Sequence, residues 1–71
     1  MAITGAQLQT ALGTTPNDAK VLGEFGVSGT TQNWYVQGNM DAVGKAKMIQ
    51  TTASDNAATQ AAAVLTALNA S

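Results

Sequence analysis

Apolar residues recur at helical spacing at both ends of this chain and alternate with polar ones in the middle. Leu8, Ala11 and Leu12 stand at i, i+3 and i+4, which predicts a short helix over 5–12. Thr4 and Gln7 occupy the N-cap and N3 positions of a capping box. Gly13 suits the C′ position that ends a helix. A second start signal follows at Thr15-Pro16-Asn17-Asp18, because Pro at N1 loses no needed hydrogen bond and Asp at N3 meets the positive end of the helix dipole. Ala19, Val21 and Leu22 supply an apolar side and Gly23 an end, so a second short helix is expected. Gly23, Gly26 and Gly29 then read as a turn or loose strand around Phe25 and Val27.

Thr30 to Gln37 holds Thr, Trp, Tyr and Val, residues that suit a pleated, half-buried surface, and predicts a strand. Gly38-Asn39 punctuates a loop to about Ala42. The stretch from Val43 to Thr52 reads either as a strand or as a helix capped by Asp41. Gly44 weakens the helix by roughly 1 kcal/mol, and the preceding strand and turn favour a hairpin. Ser54 is the expected cap of the clearest element, a helix to about Asn69 whose Ala57, Ala61, Val64, Leu65 and Leu68 share one stripe. Thr59, Gln60, Thr66 and Asn69 fall mostly off that stripe. Both helical ends carry similar Leu/Ala faces and are expected to pack on one sheet. The fold class expected is α+β in a single small domain, 1–71: two short N-terminal helices, a small antiparallel hairpin or meander, and a longer Ala-rich C-terminal helix.

Composition changes the picture by limiting the core. Leu, Ile, Val and Phe make up only 13 of the 71 residues. Ordering the backbone costs about 1–2 kcal/mol per residue, which small side chains offset poorly. There is no Cys, so no disulfide assists. Oligomerisation or docking onto something larger is therefore the expected way to complete the burial. Charge is sparse, with Lys and Arg totalling 3 and Asp and Glu 4. The surface must then be amide, hydroxyl and alanine, groups that lose water readily against another protein. Three lysines and no arginine neutralise too few phosphates for nucleic-acid binding. No apolar run approaches the roughly 20 residues that cross a bilayer, and the first residues lack the pattern of a signal peptide.

Candidate chemistry narrows the choice further. Without His or Cys there is no Ser–His or Cys–His pair, and the commonest metal ligands are missing. Asp18 and Asp55 are explained as first-turn helix residues, Asp41 by a turn, and Glu24 by a solvated loop. Nothing in their spacing pairs them for acid–base work. The expectation is a chain that is no enzyme and takes no cofactor.

The adjacent Trp34-Tyr35 is the strongest candidate for contact, since neighbours in a strand point to opposite faces. Trp34 shares a face with Val36 and is expected in the core. Tyr35 shares a face with Asn33 and Gln37 and is expected to meet a partner, where Tyr is enriched. Met40 in the loop and Leu65 and Ala61 on the C-terminal helix complete the candidate interface. Met48 is expected to fill gaps, with adaptable apolar contact as the alternative. Lys45 and Lys47 are read as a solvated stripe that guards a strand edge.

This balance of Ala, Thr, Gly, Asn and Gln with few charges is similar in character to small structural proteins of virus particles and other symmetric shells. The likeness lies in composition and transfers no residue roles. The expected function is a structural subunit of a larger ordered assembly, such as a virion decoration or cementing protein, in contact with itself or with a larger structural protein. The alternative is a stand-alone binding module, an inhibitor or adaptor in the cytoplasm.

Overall fold

The structure, a computed structural model, describes residues 2–13, 19–38 and 46–69. Its elements run α1 (Gly5–Leu12), β1 (Lys20–Ser28), β2 (Thr31–Gln37), β3 (Ala46–Thr52) and α2 (Ala57–Asn69). The three strands form one antiparallel sheet in the order β1-β2-β3. Both helices pack together on one side of it, α1 against β1 and α2 against β3. The class is α+β, with one N-terminal helix among the described residues where two were expected.

Helix α1 forms as its capping signals predict. Thr4 Oγ1 accepts from the Gln7 N–H at 3.1 Å, and Gln7 Oε1 accepts from the Thr4 N–H at 2.8 Å. Gly13 closes the helix by donating its N–H to the Gln9 carbonyl. The expected second helix is corrected. Its start at Pro16 lies outside the described residues, but Lys20 to Gly23 belong to β1. A helix-start signal is local, whereas β1 forms by pairing along β2, and that pairing prevails.

Glycines make this strand possible. Gly23 lies opposite Tyr35, and the Phe25 ring sits above it, so close that an added Cβ would lie 3.2 Å from two ring carbons. Gly26, at φ 79°, falls in the second of two register shifts in the β1–β2 ladder. Gly29-Thr30 is a two-residue hairpin loop with φ 63° at Gly29, the position that a type II′ turn reserves for glycine.

Strands β2 and β3 pair without a register shift from Thr31↔Thr52 to Gln37↔Ala46. This supports the hairpin over the helix for residues 46–52; residues 43–45 lie outside the described residues. Helix α2 begins later than expected. Ser54 and Asp55 form a turn, and Asn56 Oδ1 accepts from the Thr59 N–H at 2.8 Å, so Asn56 is the cap. The ladder explains the delay, because Ala53 still donates to the Thr30 carbonyl and the chain must turn before it can coil.

The core lies between sheet and helices. Leu8 and Leu12 of α1 meet Trp34, Val36 and Ile49 of the sheet and Ala61, Val64 and Leu68 of α2. Trp34 is fully buried, as expected. Ala61 is also buried, at 4% exposure. It packs within its own chain, so its place in the candidate interface is corrected. The expectation that Gln60 lies off the buried stripe is corrected too, because it is 0% exposed.

Gln60 belongs to a polar chain threaded through the core. Trp34 Nε1 donates to Thr51 Oγ1 at 2.8 Å, Thr51 donates to Gln60 Oε1 at 2.7 Å, and Gln60 Nε2 donates to the Asp55 carbonyl at 2.9 Å. Two further glutamines act as brackets. Gln32 Nε2 donates to the Ile3 carbonyl and ties the N-terminal segment to β2. Gln9 Nε2 donates to the Ala19 carbonyl at 2.9 Å, and its Oε1 accepts from the Val21 N–H at 2.8 Å. That amide stands where the next strand's backbone would stand, so it closes part of the outer edge of β1. Gln9→Ala is expected to cost about 1–2 kcal/mol in a urea melt, because two half-buried backbone groups lose their partners. An unchanged midpoint would show that water replaces the bracket fully.

Candidate functional site

The helices cover one face of the sheet and leave the other open. On the open face Gly23, Tyr35 and Met48 lie side by side across β1, β2 and β3. Phe25 leans over Gly23 and widens the row. Phe25 is 62% exposed, Met48 60% and Tyr35 38%. Single exposed apolar residues are ordinary, whereas adjoining ones form an apolar patch, the most distinctive feature of this face. Burying Phe25 or Met48 is worth about 1.5–3 kcal/mol each.

Amides rim this row. Gln50 Nε2 donates to Asn33 Oδ1 at 3.2 Å beside Tyr35 and Met48. Gln37 lies opposite Lys20 on one side and Ala46 on the other. Lys20 is the one charged side chain on this face among the described residues. The described residues of this face therefore carry no ion pair that a contact would have to desolvate.

The expected interface residues divide by location. Tyr35, Asn33 and Gln37 share the open face, with Tyr35 the most exposed of the three. Leu65 is 41% exposed but lies on α2, across the sheet from them. Ala61 is in the core, and Met40 lies outside the described residues. Sequence reading underrated Phe25 and Met48. Met48 was expected to fill a gap, yet it stands on the open face because the alternation that buries Ile49 turns Met48 outward. Phe25 lies in the glycine-flanked segment that reads as a turn or loose strand; it is strand, and its bulge leaves the face taken by the ring unreadable from alternation.

The charged groups also have structural tasks. Glu24, expected in a solvated loop, lies on β1, and its Oε1 accepts from the Gly5 N–H at 2.8 Å. A carboxylate there suits the positive end of α1. Lys47 Nζ reaches the Ala67 carbonyl near the C-terminal end of α2, a favourable place for a cation. No three acidic side chains converge among the described residues. No helix among them is long and apolar enough to cross a membrane.

No protein-family model, no curated protein and no solved structure matches this chain.

Proposed function

We propose that this chain is a non-enzymatic structural subunit, repeated in a larger ordered assembly and joined to its neighbours through the open face of its sheet. One observation carries the reading: Tyr35 and Met48 pair across β2 and β3, and Phe25 adjoins them with its ring over Gly23, on a face that neither helix covers. The sparse charge and the amide-rich rim favour a permanent protein contact over a freely diffusing surface. The compositional likeness to small shell proteins makes a virion decoration or cementing protein the specific form proposed. Its partners are proteins, copies of itself or a larger structural chain, and neither nucleic acid nor a cofactor enters the proposal.

A second reading has its own support. Among the described residues every buried side-chain polar atom has a hydrogen-bond partner within the one chain. A self-satisfied fold of this kind also suits a stand-alone protein-binding module.

Sedimentation of the purified chain separates the two readings. The structural subunit is expected to associate in a defined way, and Phe25→Ser with Tyr35→Ala is expected to weaken that association while leaving the melting temperature within about 3 °C. Association unaffected by this double variant would overturn the open face as the contact. A chain that stays monomeric and melts cooperatively would favour the binding module.

A further inference from the structure

The two edges of the sheet differ. The outer edge of β1 is broken by two register shifts and bracketed by the Gln9 amide at Ala19 and Val21. The outer edge of β3 is straight, with an unbroken register along all seven residues. The direction of its backbone groups follows from one bond. The Ala53 N–H donates to the Thr30 carbonyl at 2.9 Å. Alternation from there turns Thr51, Ile49 and Lys47 toward β2, and it turns the N–H and C=O groups of Gln50, Met48 and Ala46 outward. Among the described residues no partner meets those outward groups. Beside them runs a shallow groove lined by Asn33, Lys47, Met48, Ile49, Gln50 and Ala67.

We infer that β3 pairs antiparallel with β3 of a second copy, joining two three-stranded sheets into one of six strands across a twofold axis. The backbone groups call for an extended strand, and the asymmetry of the edges selects which one. The β1 edge is bracketed at Ala19 and Val21 and bulged beyond them, so head-to-tail addition of copies meets an interrupted ladder. Pairing of β3 with itself is isologous and closes after two chains.

Charge permits the pairing. Centred on Ile49, the register sets Lys47 against Thr51 of the second copy and Met48 against Gln50, so no like charges oppose one another among the described residues. Lys47 does not guard this edge, because its ammonium is drawn aside to the Ala67 carbonyl. Strand pairing alone covers less than the about 800 Å² per partner of a standard stable interface. The dimer is therefore expected to form and dissociate with concentration. This edge borders the open face at Met48 and Gln50 but engages backbone groups rather than the apolar row, and the inference stands without the proposed function.

Two sets of variants of the full chain test it. The Gln50 N–H points away from β2, so Gln50→Pro removes an outward donor and no bond of the native ladder. The wild type is expected to show a concentration-dependent dimer by sedimentation equilibrium. Gln50→Pro is expected to weaken it at least about tenfold while retaining the wild-type circular dichroism. Residues facing each other in hydrogen-bonded positions have Cα atoms about 5.5 Å apart, within disulfide reach. Met48→Cys chains mixed with Gln50→Cys chains, in a protein with no other cysteine, are expected to cross-link to each other faster than either does to itself. This second measurement stands even if the proline variant unfolds. A wild type that stays monomeric at millimolar concentration overturns the inference and leaves the edge to a strand from another protein. A dimer that Phe25→Ser abolishes, and in which the cysteine pair does not cross-link, also overturns it while supporting the open face as the contact.

Discussion

Trp34→Ala is expected to abolish the cooperative thermal transition of the isolated chain. Trp34 sits at the centre of the middle strand, opposite Ile49 and fully buried. Removing a large aromatic side chain from such a place costs about 3–5 kcal/mol. The indole also supplies the first bond of the buried polar chain, donating to Thr51 at 2.8 Å. A domain of this size has a total stability of roughly 4–10 kcal/mol, and nothing covalent supplements it. Most of that margin therefore disappears with one side chain. Far-ultraviolet circular dichroism against temperature measures the result. A variant that still melts in a sharp transition within about 5 °C of the wild type would mean that the core does not depend on this ring. Tyr35→Ala, one residue along the same strand, removes a ring from the open face and is expected to leave the transition intact. The contrast between neighbours tests the assignment of the two faces directly.

Gln60→Leu is expected to cost about 2–3 kcal/mol, although leucine suits the helix and the core. Its amide accepts from Thr51 and donates to the Asp55 carbonyl, with the Ala53 carbonyl at 3.5 Å. Leucine meets none of these groups. Thr51 then has only the more distant Gln32 carbonyl, at 3.4 Å, for its hydroxyl hydrogen. Adding Thr51→Val does not restore stability, because the Trp34 N–H then lacks an acceptor. Denaturant midpoints of the two single variants and the double variant measure this coupling. A loss below about 0.5 kcal/mol for Gln60→Leu would show that the buried chain is dispensable.

What was legible in the sequence was local. The Thr4–Gln7 capping box states its geometry within four residues, and α1 follows it. The alternation around Trp34 and Tyr35 assigns each ring to its face, because a strand repeats every two residues. The α2 stripe identified Val64 and Leu68 as buried. The rest depends on what distant segments do. β1 is a strand because β2 lies beside it, and its glycines serve a bulge, a ring contact and a turn that only the paired structure defines. The glutamines were equally opaque. An amide looks like surface until the chain brings it to an unfilled backbone group, as Gln9 meets Ala19 and Val21. The candidate site was half legible for the same reason. Tyr35 follows from alternation, whereas Phe25 joins it only through the fold over Gly23.

The strand order has a kinetic consequence. Each strand neighbours the next one in the chain, so the sheet assembles from two successive hairpins, and the first closes over the Gly29-Thr30 loop alone. Such short closures are fast. The contact between α1 and α2 instead joins segments separated by the whole sheet, at a greater entropic cost of closure. The meander is thus expected to form before the helices clasp it, with both its surfaces briefly bare. How quickly α1 and α2 find each other then decides how long a newly made chain is vulnerable to sticking to the wrong neighbour.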